Sequence, residues 1–167
     1  MGNHALGGPG KWILLVEDNA YDEALTLRAF RKSGLEPYIV VARDGVEALN
    51  RMESAAGGAK TPTTADSASG IRASLPRLVL LDLQLPRIDG FEVLRRLRER
   101  PQTRLVPVVI LSSSLEREDL ATSYTLGANS YIRKPVDFAE FIVTAAQLGV
   151  YWLGLNQPCP AGEGVGR

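Results

Sequence analysis

A chain of 167 residues is long enough for one domain with a real core and too short for two comfortable ones. Its 19 Lys plus Arg balance its 19 Asp plus Glu, and this formal net charge of zero argues against binders of nucleic acid or anionic membrane, which carry basic excess. Cys159 is the single cysteine, which excludes an internal disulfide and fits a reducing, cytoplasmic setting.

Residues 1–10 are Gly-rich and lack both a basic and an apolar stretch, so they read as a disordered leader and not as a signal peptide. The apolar run 12–16 predicts a first strand. A helix over 20–32 follows, with Asn19 as its cap, Asp22 and Glu23 favourably placed in the first turn, and Gly34 where it stops. A second strand over 38–41 leads to a helix over 46–52. The stretch from Ser54 to about residue 75, rich in Ala, Gly, Thr and Ser with Pro62, reads as a flexible insertion inside the domain.

The third strand, over 78–81, is followed by an Asp89-Gly90 turn and a helix over 91–98. Next come a fourth strand over 108–111, a helix over 115–126 ended by Gly127-Ala128-Asn129, and a fifth strand over 131–132. A last helix runs from Asp137 to about Leu153. Residues 156–167, rich in Gly and Pro, are expected to be a disordered tail too short to form an output domain, so no DNA-binding domain is expected. No uninterrupted apolar run approaches the roughly 20 residues that cross a bilayer, so no membrane span is expected. Strands apolar on both faces, alternating with helices, predict an α/β domain over 11–155: a doubly wound, five-stranded parallel sheet with helices on both faces.

In such a sheet, ligands bind where loops leave the C-terminal ends of the strands. Glu17 and Asp18 follow the first strand, Asp82 follows the third, Ser112 ends the fourth and Lys134 ends the fifth. Parallel strands gather all five at one edge. Packed carboxylates repel one another, and a hard divalent cation such as Mg²⁺ relieves that repulsion. A carboxylate can also attack phosphorus, with a cation, Lys134 and the Ser112 hydroxyl neutralising the transferred group.

The segments Ile13-Leu-Leu-Val-Glu-Asp-Asn19, Leu80-Leu-Asp-Leu-Gln-Leu-Pro86, Pro107-Val-Val-Ile-Leu-Ser112 and Tyr131-Ile-Arg-Lys-Pro135 resemble the receiver domain of two-component response regulators. The resemblance implies a flavodoxin-like strand order of 2-1-3-4-5 and a phospho-acceptor at Asp82. It implies direct Mg²⁺ binding by Asp18 and Asp82, help from Glu17 through water, and a further ligand in the Gln84 carbonyl. Ser112 and Lys134 would contact the phosphoryl group, Tyr131 would be the aromatic switch, and Lys134-Pro135 would be a cis peptide. Glu17-Asp-Asn-Ala-Tyr-Asp22, the long insertion, Leu111-Ser-Ser-Ser114, Gly127-Ala-Asn-Ser-Tyr131 and Tyr151-Trp-Leu-Gly-Leu-Asn156 resemble the stand-alone regulators that partner phytochrome-type histidine kinases. Asp22 itself reads first as a residue acting on the dipole of its helix, with contact to the acidic pocket as the lesser alternative.

Other classes fit less well. A phosphoaspartate-type hydrolase needs a second acid two residues after the nucleophile, where this chain has Gln84. A flavodoxin-like cofactor binder needs a phosphate-cradling loop after Val16, where this chain is acidic. A degenerate receiver that only binds partners would not need all five site residues. In the last helix Phe138, Phe141, Ile142, Ala145, Gly149 and Trp152 form a core-facing stripe. Val143, Ala146, Val150 and Leu153 form a second, expected to be the contact surface of a homodimer.

Overall fold

The computed structural model describes residues 11–33, 39–57 and 75–159. The predicted leader, Gly34, most of the predicted insertion and the end of the tail lie outside them. The elements in chain order are β1 (Ile13–Val16), α1 (Ala20–Lys32), β2 (Ile39–Ala42), α2 (Gly45–Ala56), β3 (Leu78–Leu81) and α3 (Gly90–Glu99). They continue with β4 (Val108–Ser112), α4 (Arg117–Thr125), β5 (Ser130–Arg133) and α5 (Phe138–Gly149), which runs on into a π-helical segment, Val150–Leu155. Because α2 reaches Ala56, residues 54–56, predicted as the start of the insertion, are helical.

The five strands are all parallel and ordered β2-β1-β3-β4-β5, as the sequence predicts. The sense in which successive strands are added reverses between β1 and β3, and that crevice is where α/β sheets carry their sites. β1 and β3, flanked on both sides, are buried at every position.

Alternation along the strands builds two cores. Leu14, Val16, Val79, Leu81, Val108 and Ile110 point to one face, against Ala48, Leu49 and Met52 of α2 and Val93, Leu94 and Leu97 of α3. Ile13, Leu15, Leu78, Leu80, Val109 and Leu111 point to the other, against Ala29 and Phe30 of α1 and Phe141, Ala145 and Leu148 of α5. Each buried Leu or Ile side chain contributes about 1.5–3 kcal/mol of transfer free energy, so the strand ends are fixed by a rigid two-faced core.

Side-chain caps fix the starts of four helices. Asn19, Asp44, Asp89 and Asp137 each accept backbone N–H bonds in the first turn of α1, α2, α3 and α5. All four helices begin at the C-terminal edge of the sheet, so capping also shapes the loops that carry the polar residues.

The segment Phe138–Leu155 is long and apolar enough to cross a membrane, with mean hydropathy 1.4 over 18 residues. Scanning for uninterrupted apolar runs misses it because Glu140, Thr144 and Gln147 are interspersed. Its inner face packs on α1 and the sheet, and 28% of the segment is buried, so it is an outer-layer helix of the α/β domain.

Candidate functional site

The backbone ladder continues one residue past three strands and thereby aims the side chains of the site. The Glu17 amide donates to the Ala42 carbonyl (3.0 Å), the Asp82 amide to Val16 (3.1 Å) and the Lys134 amide to Ser112 (2.9 Å). Residues at the ends of β1, β3 and β5, on one edge of the sheet, thus carry three functional groups that face one another. Close packing behind Asp82 sets the next loop: the Gly90 amide bonds the Leu83 carbonyl (3.0 Å). A Cβ at Gly90 would strike the Asp82 carbonyl and come within 2.7 Å of Leu83 Cα.

The Lys134 ammonium sits among three carboxylates. Its Nζ donates to Glu17 Oε2 at 2.6 Å, Asp22 Oδ2 at 2.8 Å and Asp82 Oδ2 at 2.9 Å. The side chains of Lys134, Glu17 and Asp82 are 10%, 1% and 8% exposed, against 32% for Asp22. Burial pushes the Glu17 carboxyl up to about 7, opposed by its bond to Lys134. For Lys134, burial lowers the pKa, but the bonds to Asp22, Asp82 and Glu17 outweigh it and hold the amine above its ordinary range.

Among the described residues, carboxylate oxygens of Glu17, Asp22 and Asp82 lie within 4.8 Å of one another. All are hard oxygen donors, a set that fits a divalent cation. Asp22 is the member read from the sequence first as acting on the helix dipole, with contact to the acidic pocket as the lesser alternative, and that alternative is the one observed. Asn19 accepts from the amides of Tyr21 and Asp22 and so winds the first turn of α1 towards the sheet edge. Asp18, expected as a direct ligand, is exposed and outside this convergence. The reason is local: its neighbour Glu17 continues the strand inward, and the next side chain points out.

Of the three neighbouring hydroxyls, Ser112 is fully buried, Ser114 half-buried and Ser113 exposed. The Ser112 Oγ accepts from the Ser114 amide (3.2 Å). The Ser114 hydroxyl in turn donates to Asp119 at the start of α4, and the Ser114 carbonyl accepts from the Tyr131 hydroxyl at 3.4 Å. Ser114 therefore joins Ser112, α4 and the half-buried Tyr131, a role not foreseen from its place in a serine run.

Gln84 is exposed, and its amide donates to Asp82 Oδ1 (3.2 Å), leaving its carbonyl free of that bond. Among the described residues there is no cis peptide, so Lys134-Pro135 is trans, contrary to the expectation. Of the expected dimer surface, Val143 and Val150 are 56% and 46% exposed and Ala146 is half-buried. Leu153 is corrected: at 2% exposure it belongs to the core with Phe141 and Leu148. The π-helical segment adds a residue to the turn, with the Asn156 amide bonding the Tyr151 carbonyl, and this rotates Leu153 inward.

Residues 13–146 match the family model described as the response regulator receiver domain. A curated relative, "Probable methanogenesis regulatory protein FilR2" of Methanothrix harundinacea, is 40% identical over 89% of this chain and 88% of its own. Response regulator Rcp1 of Synechocystis is 30% identical over 87% of this chain and 90% of its own. Its Mn²⁺-bound crystal structure superposes with a TM-score of 0.71, over 90% of this chain and 99% of that one. The crystal structure of the phosphorylated cyanobacterial phytochrome response regulator RcpA gives 0.73 at 33% identity, with the same coverage.

Proposed function

The chain belongs to the response regulator receiver domain family, and from that premise we propose that it is a phosphorylatable switch whose Asp82 accepts a phosphoryl group from a histidine kinase. The observation that carries this reading is the Lys134 ammonium held against Asp82 and Glu17 at the ends of β3, β1 and β5. An Asp82 oxygen attacks phosphorus while the P–N bond of the donor phosphohistidine breaks. The electron pair of that bond returns to the imidazole nitrogen.

Lys134 offsets the charge of the incoming oxygens, and the buried Ser112 hydroxyl is available to them once it leaves the Ser114 amide. Mg²⁺, when bound, neutralises phosphoryl charge; Glu17 and Asp82 would hold it, with Asp18 and the Gln84 carbonyl as the family pattern implies. The Mn²⁺-bound form of Rcp1 supports a divalent cation at this place. The domain acts as an acceptor and switch, with self-catalysed transfer and autodephosphorylation, and not as a turnover enzyme.

Rearrangement at Ser112 reaches α4 and Tyr131 through Ser114, so a local charge change alters the surface beside β5. The similarity to RcpA and Rcp1 supports a phytochrome-type kinase as donor. We place the protein in the cytoplasm, in keeping with the exposed free thiol of Cys159. The exposed Val143 and Val150, with Ala146 between them, support a homodimer through α5. Light scattering on a sizing column should give the dimer mass, and a monomer at micromolar concentration would exclude it.

The functional test is labelling by a phosphorylated histidine kinase. Label that depends on Mg²⁺, disappears with EDTA and is absent from Asp82→Asn is expected. An Asp82→Asn protein that still takes up acid-labile phosphate overturns the assignment.

A further inference from the structure

The third acid around Lys134 has no task in the mechanism above. We propose that Asp22 is a positioning residue for phosphoryl transfer, acting through Lys134; this rests on the reading of Asp82 as acceptor. An ammonium has three N–H donors, and here each is spent on a different carboxylate: Glu17, Asp22 and Asp82. The three bonds come from three elements, β1, α1 and β3, so together they fix Nζ in all directions.

When Asp82 carries the phosphoryl group, its bond to Lys134 must pass to a phosphoryl oxygen. Two anchors then remain. Glu17 is the weaker one, because cation binding draws on its oxygens. Asp22 is the steadier anchor. It is more exposed than the other two, and its position is set by the Asn19 cap at the start of α1. Lysine is a flexible stem with a point charge, so its catalytic value depends on such an anchor. Asp22 thus holds the ammonium at the site while its Asp82 contact is exchanged.

The test is a double-mutant cycle on the full chain with Asp22→Ala, Asp22→Asn and Lys134→Met, reading the labelling rate with phosphoramidate and Mg²⁺. In that reaction the P–N bond of phosphoramidate breaks and nitrogen leaves as ammonia after protonation. Asp22→Ala should slow labelling about tenfold, the loss of one charge-assisted hydrogen bond. Asp22→Asn, which keeps an acceptor oxygen, should recover most of the rate. In the Lys134→Met background, Asp22→Ala should change the rate less than twofold, because the group it acts through is gone. An equal loss in both backgrounds, or no loss with Lys134 present, overturns the proposal; a matching loss of Mg²⁺ affinity would then identify Asp22 as a cation ligand.

A second readout separates this claim from the phosphotransfer reading. The Lys134 Nζ–H signal in ¹H–¹⁵N NMR should be protected from exchange in the unmodified protein and in Asp22→Asn, and lost in Asp22→Ala. If no variant labels but this pattern holds, the acceptor reading fails and the positioning contact stands. If labelling is normal and the signal is indifferent to Asp22, the positioning role fails alone.

Discussion

Replacing Lys134 by Met removes the charge at the centre of the site while keeping an apolar stem of similar length. The wild-type ammonium is nearly buried and bonded to three carboxylates, two of them also nearly buried. Removing one partner of a buried ion pair costs about 3–5 kcal/mol when the remaining charge has no relief. Here there is relief, because Glu17 already titrates at about 7 and loses its main lowering influence with Lys134. In the variant it stays protonated to higher pH.

The sign follows from proton counts. Glu17 in the folded wild type keeps a proton that the unfolded chain releases near 4.5, so its stabilising contribution is complete below 4.5 and is lost as pH rises to about 7. In Lys134→Met the same loss continues beyond pH 7. The stability gap between the two proteins should therefore be flat from pH 5.5 to 6.5, at about 2 kcal/mol. Above pH 7 it should widen by about 1.4 kcal/mol per pH unit. Urea unfolding across this range, with matched m-values, measures the gap directly. Excess Mg²⁺ should narrow it, since a divalent cation replaces the lost charge. A gap that does not change across pH 7, or a variant as stable as wild type at pH 8.5, would refute the placement of the ammonium among these acids.

The raised Glu17 carboxyl also predicts how the cation binds. Mg²⁺ affinity should rise about tenfold per pH unit below pH 7 and level off above it, because the ligand proton must leave; titration calorimetry should show this slope, flattened in Glu17→Gln. Gly90→Ala forces a Cβ against the Asp82 carbonyl and Leu83 Cα, and should cost about 2 kcal/mol or more while slowing phosphoryl uptake. Gly57→Ala is its control: among the described residues the added Cβ meets only the Glu53 carbonyl, at 3.3 Å, and thermal melts should separate the two.

The strands of this protein could be read from the chain because the sheet is buried on both faces, so each of β1, β3 and β4 is an unbroken apolar run. Once they are parallel, the rule for strand ends brings Glu17, Asp82 and Lys134 together without further information and puts Ser112 at the same edge. Asp18 and Asp22 show where that rule stops. It gives the edge of the sheet but not the rotation of the helix that follows, which is set by the Asn19 cap and by Phe30 packing into the core. Leu153 fails for a related reason. A period of 3.6 extrapolated from α5 is correct as far as Gly149, and the π-helical turn beyond it shifts the phase. Ser114 was legible as one of three serines and, by the family resemblance, as a position that tunes hydrolysis, but its bonds to Ser112, Asp119 and Tyr131 depend on the path of the β4–α4 loop.

The central claim is that Asp82, and no hydroxyl near it, receives the phosphoryl group. After incubation with a phosphorylated histidine kinase and Mg²⁺, mass spectrometry of peptides spanning Asp82 and Ser112–Ser114 locates the added group. Phosphate is expected on the Asp82 peptide alone, removed by hydroxylamine as an acyl phosphate is. Hydroxylamine-resistant phosphate on Ser112, Ser113 or Ser114, with the Asp82 peptide unmodified, would contradict it.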